Sequence, residues 1–189
     1  MIIAIDGPSA SGKSTTAKGV SNKLGYTHID TGSMYRAVTF GLSYENIMLD
    51  DRNRIISYLR NLALKFDSNG HIILNGKNVS NAIRTVEISS KVSKISAIPE
   101  IRSKMVDFQR NIAGKSDCVL EGRDIGTVVF PNADYKFYMI ADINIRAQRR
   151  LIELKQIDES ITIEEIISSI KIRDCLLYTS PSPRDDRSS

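Results

Sequence analysis

An α/β fold, with a parallel sheet flanked by helices, is what this sequence predicts, and three observations carry it. Short apolar runs of strand length recur at residues 1–6, 26–30, 118–120 and 135–141. The first, second and fourth run into helix-patterned segments instead of returning as hairpins, the sign of parallel strands joined by helical crossovers. The composition, 41% apolar and 25% charged over 189 residues, is that of a globular domain able to bury a sizeable core.

Residues 1–6 read as a buried parallel strand that leads straight into Gly7-Pro8-Ser9-Ala10-Ser11-Gly12-Lys13-Ser14. This is a complete G-x-x-x-x-G-K-[ST] motif, and residues 15–24 closed by Gly25 read as the helix that must follow it. The chemistry explains each residue type. Gly7 and Gly12 permit backbone conformations that a side chain would obstruct, and successive N–H groups then converge on phosphate oxygens at a helix N-terminus. Lys13 is expected to reach the β- and γ-phosphates of ATP, with the Ser14 hydroxyl on Mg²⁺ and Thr15 completing the cradle. A phosphate loop of this kind names a nucleoside triphosphate and not a reaction, so the acceptor must be read elsewhere.

The second strand, 26–30, ends in Asp30-Thr31-Gly32 with a helix expected from about Ser33. Strand ends in open α/β sheets face the ligand crevice, which puts Asp30, Thr31 and Arg36 in reach of an acceptor. Arg36 suits a phosphate because its planar fork binds oxyanions bidentately. His28, within the strand, reads as a satisfied core or edge histidine. The third strand ends in Glu121-Gly122-Arg123-Asp124, a poor core pattern and a good ligand-site one. Glu121 is suited to Mg²⁺, Arg123 to an acceptor phosphate, and Asp124 to accept from an exocyclic amine; an ordinary Arg–Asp surface pair is the plain alternative.

After the fourth strand, Arg146, Arg149 and Arg150 share a helical segment. They read either as a lid over the ATP phosphates or as a solvated basic face. Residues 62–85 contain two alternating segments around Asn-Gly dipeptides, which predicts a small β-rich insertion out of step with the α/β pattern. A helical stretch from 87 to 110, broken near Pro99, carries Ser93 and Arg102 as polar candidates.

The net charge is +4, aromatics are 6% and tryptophan is lacking, so no aromatic-interleaved basic patch favours nucleic acid. No apolar run approaches bilayer length, and residues 1–6 already read as fold and not as a leader. Cys118 and Cys175 offer no disulfide framework, which fits a cytoplasmic chain.

The motifs at 7–14, Asp30-Thr31-Gly32 with Tyr35-Arg36, Asn75-Gly76 with Ile83-Arg84-Thr85, and residues 121–131 together resemble the bacterial cytidylate kinases, over residues 1 to about 174. The resemblance implies the P-loop nucleoside-monophosphate kinase fold, with a core of 1–61 and 86–174, a helical lid near 146–160, and an acceptor-binding insertion at 62–85. It implies transfer of a phosphoryl group from ATP to CMP or dCMP by a monomer using Mg²⁺. Arg36 and Arg123 would bind the acceptor phosphate, with Asp30, Thr31 and Gly122 close by. Ser93, Arg102 and Asp124 would read cytosine, while Lys13, Arg149 and Arg150 would handle the transferring phosphates, and Ser14 and Glu121 the metal. Other acceptors (UMP, AMP, shikimate) and a nucleotide-binding ATPase or remnant without kinase activity, through loss of the C-terminal part, are the competing readings. After Asp174 the pattern changes to a Ser/Pro-rich segment, so 175–189 is expected to be non-native or disordered, with the family's C-terminal strand and helix missing.

Overall fold

The computed structural model describes residues 1–67, 69–114, 116–155 and 160–179. Its centre is a four-stranded sheet of β1 (Ile2–Asp6), β2 (Thr27–Asp30), β6 (Cys118–Gly122) and β7 (Tyr135–Tyr138), in the order β2-β6-β1-β7 with every pairing parallel. Alternation along these strands divides the core between two faces. Ala4, Ile29 and Leu120 point into the main cluster, whereas Ile3, Ile5 and Val119 meet Ala17 and Val20 of α1 (Lys13–Leu24). Strands buried on both faces explain why the runs at 1–6 and 118–120 are continuously apolar.

The main cluster is closed by α2 (Thr31–Tyr44), α3 (Arg52–Arg60), α4 (Val86–Ser96) and α5 (Pro99–Ala113). The helical stretch does break before Pro99, which occupies the first turn of α5, where its missing N–H costs nothing. α2 starts two residues earlier than the expected Ser33. The Asp30 carboxylate accepts from the Ser33 N–H at 3.0 Å and so caps the helix at the strand's last residue.

The insertion is a three-stranded antiparallel sheet of β3 (Leu64–Phe66), β4 (Ile72–Leu74) and β5 (Lys77–Asn78), followed by a short 3₁₀ turn at Ala82–Arg84. The second hairpin turns through Asn75 and Gly76, both in the left-handed region. Its buried residues Leu64, Ile72, Leu74, Val79 and Ile83 belong to the same cluster as those of α2, so one core runs from the sheet into the insertion.

β7 ends at Tyr138, shorter than the apolar run to 141, and all four of its residues are exposed. Among the described residues it pairs only with β1. Beyond it, α6 (Ile143–Lys155) and α7 (Ile163–Thr179) pack on one another through Ala147, Ile166 and Ile170. α7 continues without interruption across the expected boundary at 174. Residues 156–159 of the expected lid and 180–189 of the expected tail lie outside the described residues.

Candidate active site

β1 delivers Asp6 to the sheet's C-terminal end, and the chain turns at once through Gly7-Pro8-Ser9-Ala10-Ser11-Gly12 into α1. At Gly7, with φ +148°, a Cβ would stand 2.2 Å from the Met139 carbonyl oxygen, so no side chain fits. Gly12, at φ +102°, caps α1, and Ala10 is a further left-handed residue at φ 59°. A loop of such alternating hands, ending at a helix N-terminus, is a cradle for anions. Lys13 Nζ donates to the Pro8 carbonyl at 2.7 Å, and burial pushes its ammonium down to about 8, with the Arg123 charge acting in the same sense. The Ser11 hydroxyl is buried in the loop without a hydrogen-bond partner, whereas Thr15 is exposed on the first turn of α1.

Parallel register brings Glu121 beside both Ile5 and Asp30. Its carboxylate, 4% exposed, accepts from Ser14 Oγ at 2.6 Å, and His28 Nε2 lies 3.0 Å from its other oxygen. His28 is therefore a satisfied histidine, and its partner is the strand-end carboxylate. A hydroxyl and a carboxylate side by side are hard oxygen donors of the kind Mg²⁺ takes, so these residues fit that ion. Thr31 is buried and donates to the Glu121 carbonyl at 2.7 Å, which ties the start of α2 to β6.

On the acceptor side, Asp30 Oδ2 takes Arg36 Nη2 at 3.1 Å, while Arg36 Nε is buried without a partner. Gly122 closes β6 and leads to Arg123, whose guanidinium is pushed below its ordinary range by burial. Arg102, on α5, donates to Asp124, so the two residues expected to read a base hold one another. Tyr35 is packed beside them; burial and then the Asp124 carboxylate push its phenol upward, which keeps it protonated. Ser93 is half-buried on α4, where its carbonyl accepts from Ser96 Oγ at 3.0 Å.

The three arginines of α6 part company. Arg149 is exposed and reaches the Ala10 carbonyl at 3.2 Å, across the cradle. Arg150 pairs with Glu153 at 2.9 Å. Arg146 is 5% exposed and donates inward, so it is not a solvated cation.

Two groups at the candidate site escape a reading of the sequence. Arg173 of α7 turns into the site, where its Nε is buried without a partner. Burial and the charges of Arg123, Arg150 and Arg36 push its guanidinium down to about 10. Its only local signal is an Arg-Asp pair on an amphipathic helix, which is common on surfaces. Asp6 is the other. It is 6% exposed, and its carboxylate accepts the N–H groups of Ile125 and Gly126 at 2.8 Å each. Burial pushes this carboxyl upward while the two backbone donors oppose the shift. Asp6 thereby fastens the π-helical turn Ile125–Val129, and with it the Arg123-Asp124 corner, to the phosphate cradle.

The family model for cytidylate kinase matches residues 3–178 of this chain. The chain belongs to the cytidylate kinase family. It is 47% identical over 174 residues to the cytidylate kinase of Caldanaerobacter subterraneus subsp. tengcongensis, an alignment covering 92% of this chain and 77% of that one. The cytidylate kinase of Chloroherpeton thalassium is likewise 47% identical over 92% of this chain and 77% of its own length. That of Clostridium botulinum is 45% identical over 91% of this chain and 79% of its own. In this member of the cytidylate kinase family, no helix among the described residues is long and apolar enough to cross a membrane.

Proposed function

We propose that this protein transfers the γ-phosphoryl group of ATP to CMP, and to dCMP, giving ADP and the cytidine diphosphate. The observation that carries the proposal is a gathering of cations beside the phosphate cradle: Arg173, with its Nε buried and unpaired, feels the charges of Arg123, Arg150 and Arg36, and nearby carboxylates pair with only some of these groups. Guanidinium groups crowded and desolvated in this way are costly unless an anion relieves them. Two such anions, the donor's phosphates in the cradle and the acceptor's phosphate beside Arg36 and Arg123, meet that need.

The chemistry asked of the protein is positioning and charge neutralisation. An oxygen of the acceptor phosphate attacks the γ-phosphorus as the bond to the departing ADP oxygen breaks. Lys13, Arg123, Arg149 and Arg150 would hold the three equatorial oxygens between the two nucleotides, and the burial of Lys13 and Arg123 would strengthen their contacts. Ser14 and Glu121 would hold Mg²⁺, which supplies charge neutralisation at the donor phosphates. Arg102 and Asp124 would supply a donor and an acceptor for the edge of cytosine, with Ser93 of α4 as a further polar group for the base. A base that offered a carbonyl in place of the exocyclic amine would leave Asp124 facing an acceptor, which discriminates better than pocket size.

A cytoplasmic, monomeric enzyme belongs to the same proposal, and its two free cysteines fit a reducing compartment. The test is ADP formation from ATP measured with CMP, dCMP, UMP, AMP and shikimate in turn. CMP and dCMP are expected to be preferred. Equal or faster turnover of AMP overturns the cytidine assignment, and ADP formation indifferent to any acceptor points to an ATPase instead.

A further inference from the structure

Arg146 is among the most deeply placed cations in the molecule, and the transfer chemistry makes no use of it. Its Nε donates to the Ser9 carbonyl at 2.9 Å. Both of its terminal nitrogens donate to the Asp174 carboxylate, at 2.8 to 3.0 Å. One guanidinium thus joins three elements: the phosphate cradle, its own helix α6, and α7. A desolvated ion pair of this sort is a weak source of stability, because removing two charges from water cancels most of their attraction. What a bidentate pair supplies well is orientation.

Orientation at the end of α7 is what this pair adds. α6 and α7 meet through Ala147, Ile166 and Ile170, with Ile143, Leu151, Leu154, Ile163 and Ile167 packed around them, aliphatic contacts that are less directional than a bidentate ion pair. Adjacent residues on a helix point about 100° apart. With Asp174 bound to Arg146, the direction of Arg173 is therefore set as well, and it is inward, against Arg123, Arg150 and Arg36. Arg173 would gain nothing by entering a group of like charges unaided.

We propose that Arg146 and Asp174 form a positioning strut that anchors α7 to the phosphate cradle at Ser9 and thereby holds Arg173 in the acceptor-phosphate cluster. The inference rests on the reading of that cluster as the acceptor-phosphate site. Neither Arg146 nor Asp174 touches a nucleotide in this scheme; they act by placing Arg173, and their opposite charges bear on Arg123 in opposite senses.

The test is calorimetric binding of CMP, and separately of a non-hydrolysable ATP analogue, to the full chain and to Asp174→Asn, Arg173→Ala and the double variant. Asp174→Asn keeps the shape of the side chain and removes its charge. In the wild-type background it is expected to weaken CMP by roughly tenfold, a usual size for coupling between groups in contact, while the analogue binds within about twofold of wild type. In the Arg173→Ala background the same change is expected to weaken CMP further by less than about twofold. A merely structural role for Asp174 predicts equal losses in both backgrounds, and that result overturns the strut. An unchanged CMP affinity in Asp174→Asn overturns it too. If Arg173→Ala alone leaves CMP binding intact, it is the reading of the acceptor cluster that fails. Should Asp174→Asn not fold, Arg146→Lys takes its place in the cycle, since it keeps the charge and loses the bidentate grip.

Discussion

Lys13 shows how far burial alone can move a functional group. Its ammonium sits near pH 8 in the free protein because the cradle desolvates it, and the neighbouring Arg123 charge adds to the effect. A triphosphate beside it favours the charged form, so the bound state has the higher pKa. Binding then takes up a proton wherever the free protein has lost one. ATP affinity is accordingly expected to be level below about pH 8 and to fall above it, by up to about tenfold per pH unit. Calorimetry in buffers of different ionisation heats measures the uptake directly; an affinity flat from pH 7 to 9.5 would contradict the assignment. The orphaned atoms are informative at this scale as well. The Ser11 hydroxyl, Arg36 Nε and Arg173 Nε are all buried and unpaired, and all three line the proposed nucleotide sites. Unpaired buried polar groups are costly, so these three are places for a polar ligand to satisfy, while Tyr58, Glu100 and Gln109 carry others outside the proposed sites.

At the scale of elements, the strand ends and the turns they start are fastened to each other by side chains. Asp6 holds the turn after β6, Thr31 holds the end of β6, and Asp30 begins α2. Asp6→Ala would orphan two buried N–H groups and is expected to cost roughly 3 kcal/mol, read from urea unfolding. The same change is expected to raise the KM for CMP more than that for ATP, since the loosened turn carries Asp124. β7 poses a different problem. Tyr135, Phe137 and Tyr138 are each more than half exposed on a strand whose one described partner is β1. An edge of that kind invites pairing between molecules, and lysine is the usual deterrent. Phe137→Lys is expected to lower concentration-dependent light scattering; equal scattering by both proteins would show that the edge is already protected.

Over the whole molecule, the two nucleotide sites rest on the core clusters of both sheet faces, so ligand binding should be felt as global stability. Saturation at a hundred times Kd contributes about 2.7 kcal/mol, and for a chain of this size that raises Tm by roughly 5–10 °C. ATP and CMP are each expected to produce such a shift. Arg123→Ala should keep most of the shift with ATP, lose that with CMP, and reduce CMP turnover by about a hundredfold or more, in line with removal of a group that stabilises transferring charge. A CMP shift that survives this substitution would remove Arg123 from the acceptor site.

The cradle from Gly7 to Ser14, the break at Pro99 and the hairpin at Asn75-Gly76 were legible in the residues themselves, because local geometry decides them. Glycines at positive φ, a proline at a helix start and a lysine beside a helix N-terminus need no distant partner to be recognised. Arg36, Glu121 and Arg123 were legible at one remove, as polar groups at strand ends. What stayed hidden was everything decided by contact across the chain. Arg146 looked like one of three equivalent lid cations until α7 brought Asp174 to it, 28 residues on. Asp6 looked like the last residue of a strand until the turn at Ile125 offered it two N–H groups, across 119 and 120 residues. The sequence by itself determined which phosphates this protein can hold, since a cradle is built from neighbours. Only the tertiary structure decided which charges are buried together and which partners orient them, because desolvation and ion pairing depend on distances in space that residue order does not contain.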